Sequence, residues 1–342
     1  MTSETVAAKD FDRWIVAWDE IYASMPDRAP FLHSRFLVPL VEHFGTGKEV
    51  VVLGRTNSGH SFGAIVARTG IGLWTTFQPS QLPLGPLIAQ PGVEWEELRR
   101  CLFASLPGTV ASLGITQVDP ALFDRPAGST LDYIETAWVD IDQPFDAYWA
   151  ARGKNLRHNM RKQRSRLAES GITARLQCVA DVEGVAAAIE DYGRLEAAGW
   201  KSDLGTAVQA DNEQGAFYRN MLAAYVRAGK GQIWRYWFDS KPVAIDLCIE
   251  GEETLVILKT TYAEDEKQYS PAFLMREEYF RTLFGEGRLR RIEFFGRRME
   301  WHQRWTENVR TLYHVNFDRW SWITSMRRLR GRLDGTRDQT AQ

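Results

Sequence analysis

The chain has 342 residues, 42 Lys and Arg against 44 Asp and Glu, and a hydrophobic share of 44%. That length favours two domains, the apolar share suits a globular protein, and the near-neutral balance argues against wholesale nucleic-acid binding, though not against a local basic patch. Cys101, Cys178 and Cys248 are single and far apart, with no Cys/His spacing that would hold a metal, and they suit a reducing compartment. The opening "MTSETVAAKDFDRW" lacks a basic segment followed by an apolar one, and no apolar run is long enough to span a bilayer. A cytoplasmic address is therefore expected.

In chain order, Phe11, Trp14, Ile15, Trp18 and Ile21 recur at helical spacing over 10–25, and Pro26 ends the pattern. A second helix is expected over 31–45, bent or started by Pro39. Two β-rich runs then flank Asn57-Ser58-Gly59, a hairpin signal. After the Pro-punctuated "FQPSQLPLGPLI" come a helix over 93–106 and a short strand, "ASLGITQVD".

Residues 145–170 gather Arg152, Lys154, Arg157, Arg161, Lys162, Arg164 and Arg166 with no acid between Asp146 and Glu169. Such a run is either a solvated helix face between domains or a basic surface for phosphates or RNA.

The second half has a fuller order. Helices run through Val182–Leu195 and Phe217–Tyr225, and Gly229 closes the second. "QIWRYWFD" and "VAIDLCIEG" form a hairpin, and "TLVILKTTY" follows as a third strand. A polar loop leads to Ser270-Pro271-Ala272, where Ser270 is expected to cap a helix that has Pro271 in its first turn. The strand "RRIEFF", a short Trp-rich helix and the strand "VRTLYHVNF" complete it. The expectation is an α/β fold with a mixed β-sheet, helices on both faces and two tandem copies of one unit. The expected divisions are 1–145, a basic connection over 146–180, 181–320, and a polar tail over 321–342.

The segments "DYGRLEAAGWKS", "GKGQIWRYWFDSKPVAIDLCIE", "TTYAEDEKQYSPAFLMREEYF" and "IEFFGRRMEWHQRW" resemble the GNAT acyltransferase fold. The whole chain is similar to tandem-GNAT proteins of the FemAB-like and CelD/BioF2-like group. The resemblance implies two GNAT-like units, of which the first lends a wall to the substrate groove. It also implies an acyl-CoA donor held by a Gln/Arg-x-x-Gly-x-Gly/Ala loop. Here that loop reads Lys267-Gln268-Tyr269-Ser270-Pro271-Ala272, with Lys for the first residue and Ser for the first Gly. Lys267, Gln268, Ser270 and Ala272 are thereby the expected cofactor contacts. A family run of Tyr-Lys-x-Arg-Trp has its counterpart in Trp301-His302-Gln303-Arg304-Trp305. No metal is implied.

Acyl transfer to an amine needs a deprotonated amine, a stabilised oxyanion and a proton for the leaving group. Backbone N–H groups near Leu258–Thr260 are the expected oxyanion donors. Asp246 falls opposite the apolar Val243, Ile245, Leu247 and Ile249 of its strand. It is either paired, with Lys259 as the expected partner, or a general base. Glu293 poses the same choice. His302 is a candidate proton relay, and Tyr262 or Tyr269 a leaving-group acid. Trp200, Lys201, Lys259 and Trp301 are candidate substrate contacts, and Trp301 and Trp305 are equally suited to a core. No GxSxG, HExxH, Walker or dinucleotide-binding signature is present.

The expected activity is N-acyl transfer from acyl-CoA or an acyl carrier to an amine. One alternative is an aminoacyl-tRNA donor, as in FemAB-like enzymes. The basic 152–166 run speaks for it and the short segment between the second-half helices against it. The other is a catalytically silent binding protein.

Overall fold

In the computed structural model, residues 2–127, 130–198, 208 and 212–323 are described. The expected contacts Trp200 and Lys201, and the tail beyond Ile323, lie outside them. The first half runs β1 (Thr2–Ala7), α1 (Ile15–Ser24), α2 (Ser34–Phe44), β2 (Glu49–Arg55), β3 (Ser61–Gly70), β4 (Leu73–Thr76), β5 (Leu87–Ala89), α3 (Trp95–Ser105), β6 (Ser112–Val118) and β7 (Thr130–Asp140). Helices α4 (Phe145–Ala151) and α5 (Lys154–Glu169) connect it to the second half. That half runs β8 (Ala174–Val179), α6 (Val182–Ala197), α7 (Glu213–Arg227), β9 (Gly231–Phe238), β10 (Lys241–Glu250), β11 (Thr254–Tyr262), α8 (Pro271–Glu286), β12 (Arg291–Glu293), α9 (Glu300–Gln303) and β13 (Val309–Asp318).

The strands join one sheet in the order β1-β2-β3-β4-β6-β13-β7-β12-β11-β10-β9-β8, with β5 beside β3. The expected mixed sheet and tandem units are both present. In each half a strand pairs in parallel with the strand that follows its crossover helix, β4 with β6 and β11 with β12. The final strands are exchanged. β13 pairs with β6 of the first half, β7 pairs with β12 of the second, and the two lie antiparallel to each other at the centre. Each unit therefore finishes the other's sheet, and neither has a free inner edge.

Strand β10 shows how the two faces are filled. Ile245 lies opposite Arg235, whose guanidinium donates to Asp191 on α6 (2.6 Å), while Asp246 turns to the other face and meets α8. Helices thus cover both faces, and β10 is buried from Val243 onward.

The Pro-rich segment has a structural task in the first half. Beyond the three β4–β6 pairs the strands begin to part, and the 77–86 segment fills the opening. The Gly85 N–H donates to the Thr116 and Gln117 carbonyls at 3.1 and 3.3 Å. A Cβ on Gly85 would stand 2.3 Å from the Thr116 oxygen, so only glycine fits. Among the described residues the corresponding opening in the second half holds no such plug.

Candidate active site

Strand β11 pairs with β12 only over Thr254–Val256. After Glu293, Phe294 donates its N–H to Ala137 on β7 (3.2 Å), and Phe295 takes a left-handed φ of 47°. The chain is thereby steered away from β11, and the two strands splay. On the other edge of β11 the ladder steps from Leu247 opposite Lys259 to Cys248 opposite Ile257, so Leu258 is an extra residue. A bulge of this kind bends its strand and re-aims the backbone. Bulge and splay coincide within the expected Leu258–Thr260 segment.

A cavity of about 640 Å³ opens there. Its walls are β11 from Leu258 to Tyr262, the end of α6 with Leu195 and Glu196, and the first turn of α8. Lys267, Glu264, Arg276, Met299 and Trp301 close it. Of the expected residues it unites Lys259, Tyr262, Lys267, Ser270, Ala272 and Trp301. Tyr262 is 41% exposed, at the mouth. Gln268 does not line it, and Tyr269 packs edge-on against Phe238.

The Ser-Pro-Ala junction differs from simple capping. The Ser270 hydroxyl makes no capping bond, and the residue sits at φ 53°, ψ 51° in the left-handed region. This is the conformation glycine adopts without strain, so a glycine-type backbone is present at a serine. The Ser270 carbonyl accepts the Phe273 and Leu274 N–H groups at 3.0 and 3.2 Å. Pro271 has no N–H to offer. Among the described residues nothing accepts the Ala272 N–H, and Ala272 lines the cavity. A helix N-terminus with a free N–H favours an anion. Ser270→Gly is expected to raise stability by up to about 1 kcal/mol, the left-handed strain less the added chain entropy of glycine. Urea unfolding of the two proteins measures it.

Asp246 is fully buried, and its partner is Arg276, not Lys259. Arg276 donates to both carboxylate oxygens at 2.9 Å, Thr260 Oγ1 donates at 2.7 Å and Tyr279 Oη at 2.8 Å. Burial disfavours the Arg276 charge, yet Asp246 holds the guanidinium protonated. Burial likewise raises the Tyr279 hydroxyl well above its usual value, so it remains a donor. Four donors saturate this carboxylate, and it does not reach the cavity surface. Lys259 instead places its ammonium 5.9 Å from the Tyr218 ring.

His302 also stands behind the wall. It stacks on Trp301 at 3.6 Å between ring centroids, and its Nδ1 accepts the Met299 N–H at 2.8 Å. Burial and the Arg276 charge lower its pKa to about 4, so the imidazole is neutral at physiological pH and braces the α9 turn. Trp301 itself faces the cavity, with the Arg276 guanidinium 4.5 Å from its ring, whereas Trp305 is fully buried in the core.

Sequence reasoning missed Glu196 and Arg276. Glu196 is 3% exposed yet lines the cavity, accepting from the Val208 N–H (2.6 Å) and from Tyr192 Oη (3.3 Å). The available signal was its i,i+4 spacing from Tyr192 on a buried helix face. Arg276 lay in the apolar stripe of α8, where a charge needs a buried partner.

Glu293 belongs to a buried cluster between the units. Arg310 donates to both Asp119 oxygens at 2.9 and 2.8 Å and to Glu293 Oε1 at 3.0 Å, and Glu293 Oε2 has no partner among the described residues. Burial raises the Glu293 pKa to about 7 against the opposing pull of Arg310. Between the unfolded carboxyl value and 7 the folded chain retains a proton that the unfolded chain has released, so this group's contribution to stability is lost as pH rises. Glu293→Gln is expected to gain on the parent by about 2–3 kcal/mol from pH 5 to pH 8. Urea midpoints of both proteins across that range provide the check.

On α5, Leu156, Met160 and Leu167 bury one stripe. Arg164 is tied to Glu277 and Glu278 of α8, while Lys154, His158, Arg161, Lys162 and Arg166 are exposed. Ser170 meets Tyr269 at 3.3 Å, placing the end of this helix beside the 264–270 loop. Among the described residues no cluster could hold a metal ion and no helix is long and apolar enough to cross a membrane.

Residues 154–303 match the family model of an acetyltransferase (GNAT) domain. The chain is similar in fold to FemX, with a TM-score of 0.59 at 8% identity, covering 93% of this chain and 97% of that one. It is also similar to the C-terminal domain of a putative lysylphosphatidylglycerol synthetase from Agrobacterium fabrum, with a TM-score of 0.53 at 13% identity over 88% of this chain and 92% of that one. No curated protein matches the sequence.

Proposed function

We propose that this chain, whose residues 154–303 match an acetyltransferase (GNAT) domain, is an N-acyltransferase moving an acyl group from acyl-CoA to an amine. The observation that carries this reading is the meeting, in one cavity, of the β11 bulge and the free N–H at the start of α8. The residues present suit a CoA thioester. The Ala272 N–H and the Lys267 ammonium would take its phosphates, and the backbone near Leu258–Thr260 would face its carbonyl. Bound there, the thioester supplies the activated acyl carbon. Glu196 is the buried carboxylate of the cavity and receives the amine proton, while Tyr262 at the mouth is placed to protonate the departing sulfur. Asp246 and His302 act by holding Arg276, Thr260 and Trp301 in position.

Thermal unfolding of the full chain with CoA, acetyl-CoA and longer acyl-CoAs tests the proposal. A ligand at about 100 times its Kd stabilises by roughly 2.7 kcal/mol. A shift graded by acyl length supports it. No shift with any of them overturns it.

A second reading rests on α5. The end of this helix lies beside the 264–270 loop, and its exposed cations suit an aminoacyl-tRNA donor, for which tRNA affinity would fall steeply with salt. Binding without turnover would indicate a silent scaffold.

A further inference from the structure

A second cavity, of about 400 Å³, is built by both units and meets the first at Leu258 and Lys259. The segment that plugs the first unit's opening lines it with Gln78 and Gln81, and the second unit lines it with Tyr218 of α7 and the Phe294–Phe295 turn. Gln78 is engaged within the chain. It donates to the Leu82 carbonyl and to Gln117 Oε1 (3.3 Å) and accepts from Thr116 Oγ1 (2.8 Å). Gln81 and Tyr218 are not so engaged. They are only 7% and 1% exposed, yet among the described residues neither the Gln81 amide nor the Tyr218 hydroxyl has a hydrogen-bond partner. Their polar atoms nevertheless retain a little open surface, and this is the cavity both residues line. A buried polar group without a partner costs stability. Two of them, one from each unit and on one space, mark that space as built for a ligand. Burial and the Glu196 charge raise the Tyr218 hydroxyl well above its ordinary pKa, so it stays protonated and can donate.

We infer that this cavity binds an amide: a small amine that carries a carboxamide, as the N-terminal residue of a peptide does. A glutamine side chain donates from its nitrogen and accepts at its oxygen. An amide offers the complementary acceptor and donor, so Gln81 can join it by two parallel bonds. Tyr218 adds a donor, which suits a carbonyl. Phe294, Phe295 and Ile134 give apolar surface for the ligand's side chain, and the volume suits amino-acid to dipeptide dimensions. Recognition of the amide stands on this cavity alone. That the ligand's amine is the acceptor rests on the acyl-transfer reading, through the wall the two cavities share.

The test is calorimetric binding to the full chain of phenylalaninamide, phenylalaninol and 2-phenylethylamine, at about pH 6 so that all three amines are protonated. Phenylalaninamide is expected to bind at least about 10-fold more tightly than either of the others, the scale of one to two ordinary hydrogen bonds. Gln81→Met should shrink that ratio below about threefold, and Tyr218→Phe should weaken amide binding by about fivefold. Neither should lower the urea midpoint, because neither side chain gives up a bond within the chain. Equal affinities, phenylalaninol bound as tightly as the amide, or a preference that survives both variants would overturn the inference. So would a lowered midpoint in both variants, which would show the two side chains serving the fold. The CoA thermal shift separates this result from the functional reading. A shift without amide preference leaves acyl transfer standing and removes this ligand class. An amide preference without a shift does the reverse.

Discussion

Replacing Arg276 by Met is expected to cost about 3–5 kcal/mol of stability, the largest loss for any single side chain bordering the cavity. The reason lies in what is left behind. Asp246 has no exposed surface, and among the described residues Arg276 supplies two of its four hydrogen bonds and the positive charge that pairs with it. Thr260 and Tyr279 would remain, but two neutral donors do not balance a carboxylate removed from water. Methionine fills most of the same volume, so the loss measures charge rather than packing. The double variant Arg276→Met with Asp246→Asn removes both charges and should recover most of it. Urea unfolding followed by tryptophan fluorescence gives both values. A loss under about 1 kcal/mol in the single variant would mean that water or rearrangement reaches Asp246, and that the pair does not hold the wall. The consequence for function is indirect but specific. Arg276 also donates to Thr260 Oγ1 at 2.7 Å and lies over the Trp301 ring, so it ties β11, α8 and the α9 turn together on one side of the cavity.

That network marks how far the sequence could be read. The alternation around Asp246 showed a carboxylate opposite the apolar face of a central strand, which had to be either paired or functional. Which partner it takes depends on the crossing of α8 over β10, a tertiary fact that spacing along one strand does not contain. Lys259, the neighbour on β11, was the local answer, and the long-range one prevailed. The order of the second half was legible because its strands are buried on both faces and read as apolar runs. In the first half β7 was missed, since Asp132, Tyr133 and Glu135 expose much of it and hide its alternation. Its exchange with β13 could not be read at all. The glycine-like backbone of Ser270 was masked by an ordinary capping signal, Ser-Pro, that fits a helix start equally well. His302 looked like a relay because its ordinary pKa is near neutral, but burial decides its charge.

Glu196→Gln should lower kcat by about 10²–10⁴ while leaving stability within about 1 kcal/mol. The amide keeps an oxygen to accept the Val208 N–H, and Tyr192 Oη still has the Thr260 carbonyl at 3.3 Å. The fold therefore loses little. What goes is the buried carboxylate of the cavity beside β11; among the described residues the other acid that lines it, Glu264, is exposed on the loop before Ser270. An amine is protonated at neutral pH and must lose a proton to attack, so a base lining the cavity is the group whose removal the rate should feel most. The pH profile distinguishes this role from mere shaping of the wall. In Glu196→Gln activity should return only at alkaline pH, where the free amine itself is populated, a displacement that mere shaping of the wall would not cause. A variant with an unchanged profile and a raised KM would instead place Glu196 among the binding contacts. The proton would then have to leave by another route, through the Tyr262 hydroxyl or directly to water at the mouth.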